Sequence, residues 1–465
     1  MVRRAVAELL LLAILPIALL LILYFHWGAG PLRLAACTVL FVYLALATRR
    51  FGYLPSVWEA GRWRGVLAAL SVGLLALHGR SFWRDIAAGG ECLTDMGRPS
   101  ICAGEWLRRG FNPWAECAPK LTAAERRMLP NDDTWAQCVK VDRCIDRKAG
   151  GTYSRWTHHG PGFDFMDGYK YGPIAALVYT PFVHTLRERG VYGVNLAWWL
   201  LEVVALLLLA RAAFPQQRAT PWRTLCVWLS PRIVPMSWLP TWHIDAFWDS
   251  FDLRIPERDT FVLELTRRCS NDIIPVVLGL FALYLAARKR PALAGVLLGL
   301  SLAAKPLPAL LWCLLLPGLS GLQVRRLVGA TIITAFICYW PFFLWGPKEM
   351  IANLVLFSAL RPTNSSSIRG YLPEGGDLLV SVLQLASCAW LVFAFYRGPR
   401  TAAGQRGERD LAWLLRSAAL LTLVFVALNK VVHGNYLLWI LPLAALAVAG
   451  VPFDDRRIVD RAGRG

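Results

Sequence analysis

This chain lacks the cradles that hold nucleotide phosphates. Neither GxxxxGKS/T nor a GxGxxG following a strand occurs in it. ATP coupling and a nucleotide-bound sugar donor are therefore without support, and no cofactor is called for. Zinc-ligand spacing is missing as well. Cys138 and Cys144 are too far apart for a CxxC pair, and no matching His pair follows them. No small-x-small cleavage site follows the first apolar run, so the stretch from Arg3-Arg4 to Tyr24 reads as a first membrane span rather than a signal peptide. The two halves show no internal repeat of the kind many transporters carry.

Acidic residues are also few: 31 Asp and Glu against 50 Lys and Arg, for a formal net charge of +19. In a soluble protein this would raise nucleic-acid binding. Here the basic residues gather in short connections between apolar runs, as the positive-inside bias requires. Nucleic acid is thereby set aside as a partner.

What is abundant is apolar. Hydrophobic residues make up 56% of the chain, and the mean hydropathy is +0.44. Runs near the roughly 20 residues needed to cross the hydrocarbon recur along most of its length. Continuous runs mean helices, because a helix satisfies its own backbone in lipid. The expected fold is an all-α polytopic integral membrane protein of about 10–12 transmembrane helices, a single membrane domain over residues 1–465. Many of the 21 tryptophans suit the aromatic belts at the two interfaces.

One long stretch, residues 80–170, could not sit in lipid. It holds Cys92, Cys102, Cys117, Cys138 and Cys144, and it gathers Asp85, Asp95, Asp132, Asp133, Asp164, Asp167, His158 and His159. Three apolar runs precede it, ending at Tyr24, Thr48 and His78, and these place it outside. With Cys269 in a second polar connection, the five loop cysteines can form disulfides in an oxidising compartment. Spacing leaves their pairing open. The basic segments Arg288–Arg290, Arg325-Arg326 and Arg397–Arg409 fall inside by the charge rule. Counting forward and counting back differ by one crossing between Gly172 and Trp242. Either the Pro-broken segment Trp222–Trp242 is re-entrant or one short run does not span.

Ionisable residues at membrane depth are expensive and usually functional. Lys305 stands before Pro306 between two apolar stretches too short for relaxed spans, Ala292–Ala304 and Leu307–Leu316. If these form a hairpin, Lys305 sits at its outer turn, where a lysine binds phosphate as a point charge or snorkels to the interface. His433, between two spans, pairs with a phosphate or marks an interface. A loop aspartate within hydrogen-bond reach of an acceptor hydroxyl would serve as a base. With no nucleotide cradle, the donor would be a molecule already in the membrane.

Several segments in order resemble bacterial membrane glycosyltransferases of the GT-C fold. The nearest likeness is the polyprenol-phosphate-mannose-dependent α-mannosyltransferase family that extends phosphatidylinositol mannosides. Thr94-Asp95-Met96 followed by Ala103 to Trp114 is similar to that family's Asp and short helix ending G-x-x-P-Y, with Trp114 where Tyr is usual. Lys170-Tyr171-Gly172-Pro173 resembles its Y-P-P helix opening. Ser270-Asn271-Asp272 through Gly295, Gly299, Lys305 and Pro308 resembles its polar start and G-x-x-x-G-x-x-x-x-x-K-x-x-P stretch. Asn364 to Gly370 resembles its N-x-S-x-R-G loop, and Asn429-Lys430 with Tyr436 to Pro442 its last span.

The resemblance implies a bacterial cytoplasmic-membrane enzyme with an outward-facing site. It would move a hexose, mannose by the likeness, from a polyprenyl-phosphate sugar to a lipid or glycan acceptor, with inversion and no metal. Asp95 or Asp85 would be the base. Lys305, Arg369 and His433 would meet the donor phosphate, and Lys170, Tyr171, Asn271, Asp272 and Asn364 would contact substrate. The competing classes are a transporter or flippase of a lipid-linked sugar and a receptor whose disulfide loop binds a partner.

Overall fold

The structure is a computed structural model. It describes residues 61–88, 100, 103–104, 107–108, 110, 112–114, 169, 171–186, 188–215, 217–229, 271–306, 314–316, 319–356, 376–397, 411–429 and 436–449. These residues are helical, with no strand among them. In chain order the helices are α1 (Gly61–Ala88), α2 (Pro173–Leu186), α3 (Glu188–Ala213), α4 (Thr220–Leu229), α5 (Ile273–Ala287), α6 (Pro291–Ala304), α7 (Gly321–Trp345), α8 (Pro347–Ile351), α9 (Gly376–Arg397), α10 (Leu411–Ala427) and α11 (Leu437–Ala449). A π-helical turn, Ala352–Leu356, continues α8.

Among the described residues three helices are long and apolar enough to cross a membrane: Arg189–Ala213, Gly321–Trp345 and Leu378–Phe395. The other apolar helices are shorter. The ten-residue α4 would reach only about 15 Å at 1.5 Å per residue. It covers the start of the segment where the crossing count fails to close.

One boundary differs from the sequence reading. Helix α1 runs on through Asp85 to Ala88, so the first residues assigned to the polar loop are helical. A helix satisfies its backbone whatever its side chains, and nothing in Arg80–Ala88 breaks it. Glu202 lies within α3, and its carboxylate accepts from Trp228 Nε1 at 3.0 Å.

The core lies where α3, α4, α5, α10 and α11 meet. It includes Trp199, Leu206, Leu209, Trp228, Ile274, Val277, Leu415 and Leu446. Tyr179 donates to Asn195 Oδ1 at 2.7 Å, joining α2 to α3. Gln384 donates to the Phe425 carbonyl at 2.8 Å, joining α9 to α10.

Helices α7 and α9 sit at the periphery. Ile332, Ile333, Phe336, Ile337 and Leu344 on α7, with Leu378, Leu385 and Trp390 on α9, are all exposed. An apolar face of that extent is a surface for lipid or another protein.

Helices α5 and α6 form an antiparallel hairpin about the basic turn Arg288–Arg290. The turn closes through Lys289, which adopts φ 56°. Its N–H reaches Ala286 O, and Arg290 N–H reaches Leu285 O, as a helix-terminating turn requires. With 15 and 14 residues, the two helices have nearly equal lengths, so Asp272 and Lys305 come out at the same end. Gly295 and Gly299 let α6 lie against α7. A β-carbon on Gly299 would come within 2.6 Å of the Thr334 Cβ and 2.8 Å of the Thr331 carbonyl. The G-x-x-x-G spacing thus brings two backbones together, the use membrane helices make of small residues.

Candidate functional site

Four helix ends meet beside Lys305. They are the C-terminus of α6 and the N-termini of α2, α5 and α11. Lys305 is the C-cap of α6, in extended conformation, with its N–H on the Ser301 carbonyl. Asp272 stands at the N-cap of α5 but makes no capping bond with its side chain. Its carboxylate turns to Lys305 instead, forming an ion pair with Nζ. The same oxygen accepts from Trp439 Nε1 of α11 at 3.1 Å. Asp272 is 0% exposed and the Lys305 side chain 18%, so the lysine forms the open edge.

Two tyrosine rings complete the surroundings. Lys305 Nζ lies 5.2 Å from the Tyr171 ring centre and 5.9 Å from that of Tyr436. Both distances fall in the range where a ring quadrupole attracts a cation. Gly172 holds the start of α2 against α6. Its N–H donates to Ala304 O at 3.1 Å, and a β-carbon there would collide with the Ala303 carbonyl. A residue with a side chain at position 172 would not permit this approach.

The electrostatics favour an anion on this side of Lys305. A helix N-terminus carries roughly half a positive charge and a C-terminus half a negative one, so the three N-termini outweigh the single C-terminus of α6. Asp272 offsets the charge of Lys305 from the buried face, and the surplus of N-terminal dipole ends remains.

The polar loop is tied to the same place. Trp114 is fully buried. Its backbone N–H donates to Asn112 Oδ1 at 2.9 Å and its Nε1 to the Tyr171 carbonyl at 3.0 Å. Asn353, in the π-helical turn, donates to the Trp114 carbonyl at 2.9 Å. Tyr169 N–H donates to Pro113 O at 2.8 Å. Residues 112–114 are thus latched to Tyr169 and Tyr171, and the Tyr171 ring lies against Lys305. The Tyr169 hydroxyl lies 3.4 Å from Ser100 Oγ and faces Asn271. Burial drives this phenol's pKa well above its ordinary value, against a smaller lowering by Ser100 and Asn271.

Of the residues named from sequence, Lys305, Tyr171, Asn271 and Asp272 come together here. Asp85 lies in the last turn of α1, and its side chain is outside the described residues. Asp95, Lys170, Asn364, Arg369 and His433 lie outside them altogether, as do Cys92, Cys102, Cys117, Cys138, Cys144 and Cys269. The sequence reading missed Tyr169, Ser100, Trp439 and the latch role of Trp114. Tyr436 and Trp439 fall within the last apolar run, but one residue type in that run looks like another until the carboxylate beside them is seen. Comparison of the chain with protein-family models, with curated proteins and with solved structures gives no match.

Proposed function

We propose that this chain is a polytopic membrane glycosyltransferase of GT-C type. It would transfer a hexose from a polyprenyl-phosphate sugar to a lipid or glycan acceptor at the outer face of a bacterial cytoplasmic membrane. The observation that carries this reading is the Lys305–Asp272 pair where four helix ends meet. A buried carboxylate fixes the lysine and dipole ends converge on it, while aromatic rings wall it and its open edge can meet a phosphate.

The length of the hairpin is compatible with that location. Fifteen residues of α5 span about 22 Å, less than the roughly 30 Å of hydrocarbon. With the Arg288–Arg290 turn at the cytoplasmic surface, Lys305 sits just below the opposite surface. That is where the phosphate of a lipid carrier would lie with its tail still in the membrane.

In the proposed reaction an acceptor hydroxyl attacks the anomeric carbon. The new C–O bond forms as the sugar–phosphate C–O bond breaks. The hydroxyl proton passes to a loop carboxylate, Asp95 or Asp85. The electron pair leaves with the polyprenyl phosphate, whose growing charge Lys305 stabilises, joined by Arg369 and His433. Lys170, Tyr171, Asn271, Asp272 and Asn364 would hold the substrates. Disulfides among the loop cysteines would stiffen the loop.

The test is mass spectrometry of lipids after purified protein is incubated with polyprenyl-phosphate mannose and a bacterial lipid extract. A hexose-bearing product, lost in Lys305→Gln and in either Asp95→Asn or Asp85→Asn, is the expected result. Movement of labelled lipid across vesicles with no product from any polyprenyl-phosphate sugar would replace this reading with a transporter.

A further inference from the structure

Asn271 holds a position that the ion pair does not explain. Its side chain is 2% exposed. Neither its Nδ2 nor its Oδ1 makes a hydrogen bond of regular geometry among the described residues. The Tyr169 hydroxyl faces it closely enough to feel it, without completing a bond that meets both distance and angle. Folded proteins seldom keep a buried amide in that condition, and one that persists calls for an explanation.

The chemistry of the unmet groups is specific. A carboxamide offers donors and an acceptor side by side, and a hydroxyl is one group that can answer both. The Tyr169 and Ser100 hydroxyls are bonded to each other at 3.4 Å, which holds the phenol oxygen beside Asn271. Asn271 adjoins Asp272 in the chain, and consecutive Cα atoms are about 3.8 Å apart. A hydroxyl taken by Asn271 and a phosphate taken by Lys305 could therefore belong to one glycosyl phosphate.

We propose that Asn271, with Tyr169 and Ser100, forms a hydroxyl-reading subsite that recognises the sugar of a phosphate-linked ligand and sets which sugar is accepted. The inference rests on the reading of Lys305 as a phosphate site, but not on any transfer taking place. Lys305 supplies charge and is indifferent to the sugar. Asn271 supplies direction and tells an axial hydroxyl from an equatorial one.

The test separates the two. Dissociation constants are measured for purified protein with polyprenyl phosphate and with its mannosyl, glucosyl and galactosyl forms. Wild-type protein should bind one hexosyl form about tenfold more tightly than the bare phosphate, the effect of one or two good hydrogen bonds. Asn271→Ala should bring that ratio close to one and flatten the order among sugars, leaving the affinity for bare polyprenyl phosphate unchanged. Tyr169→Phe should give an intermediate loss. Asn271→Ala should also melt at or above the wild-type temperature, since it removes an unsatisfied amide. A clear fall in melting temperature would show the amide to be structurally bonded and overturn the proposal. A wild-type ratio near one, or an equal loss for sugar-bearing and bare ligands, would overturn it too. If the ratios behave as expected but no donor yields product, the transferase reading fails and the subsite stands.

Discussion

Two carboxylates are buried among the described residues, and they are held in opposite ways. Asp272 stands at a helix end, paired with a full positive charge and with the indole of Trp439. Glu202 sits at 1% exposure in the middle of the longest buried helix, accepting from the indole of Trp228. The helix end gives Asp272 something the mid-helix position cannot. Another chain segment ends beside it, and that segment brings a lysine whose other side is open. Glu202 is buried beside Trp228, on which Trp199 stacks at 5.9 Å. The first arrangement has an open edge at Lys305, and the second lies wholly inside the core. Burial of a charged residue type therefore does not by itself mark a working site. The partner and its access decide.

The comparison breaks first at Asp272. Asp272→Ala leaves Lys305 without its counter-charge and Trp439 without its acceptor. Removing one member of a buried pair costs roughly 3–5 kcal/mol, so a large fall in the thermal midpoint in detergent is expected. Asp272→Ala combined with Lys305→Met should recover most of the loss, because the uncompensated charge is gone. A single variant that melts like wild type would mean the pair does not hold the four helix ends.

At Glu202 the effects should be smaller and confined to stability. Glu202→Leu strands the Trp228 N–H in the core, at about 1–3 kcal/mol. Glu202→Gln keeps an acceptor and should cost less than about 1 kcal/mol, with sugar transfer unchanged. Were Glu202→Gln to fold normally and abolish transfer, the roles of the two carboxylates would be reversed.

The hairpin and its charged end were legible in the sequence, because the signals are local. Lys305 before Pro306 stops an apolar run, and Gly295 and Gly299 mark a close packing face. Asp272 was legible as a polar helix start, but its partnership with Lys305 was not. Thirty-three positions separate the pair, and only the equal lengths of α5 and α6 bring them together. Trp114 and Trp439 were harder still. In a chain with 21 tryptophans the expectation for any one is an interfacial belt, and a buried indole N–H aimed at a named acceptor leaves no pattern in composition. The exposed faces of α7 and α9 follow from their apolar runs, whose few polar groups, such as Gln384 and Tyr339, turn to neighbouring helices.

Trp114 sharpens the contrast from the loop side. Trp114→Phe keeps an aromatic ring against Phe342, whose centre is 5.1 Å away, and removes the N–H that reaches the Tyr171 carbonyl. The cost to stability should be modest, about 0.5–1.5 kcal/mol. If the chain carries out the proposed sugar transfer, that rate should fall by more than the stability loss implies, because the Tyr171 carbonyl loses its tie to Trp114. Retained activity alongside a lowered melting point would make the latch purely structural.

The smallest expected effect lies at Tyr436. Its ring centre is 5.9 Å from Lys305 Nζ, at the outer limit of useful attraction, and the pair is only half-buried. A cation over an aromatic face at such a site gains about 0.5–1 kcal/mol. Tyr436→Leu should remove that attraction, whereas Tyr436→Phe should keep it, since the face and not the hydroxyl provides it. The sign on ligand binding is informative. If the rings act mainly to hold the ammonium in place, Tyr436→Leu weakens binding of bare polyprenyl phosphate by up to about fivefold, the equivalent of about 1 kcal/mol. If they instead compete with the phosphate for the lysine, the same change tightens it. A weaker constant for Leu with an unchanged one for Phe is the outcome expected here, because Asp272 already fixes the buried side of the charge and the rings are needed to fix the open one.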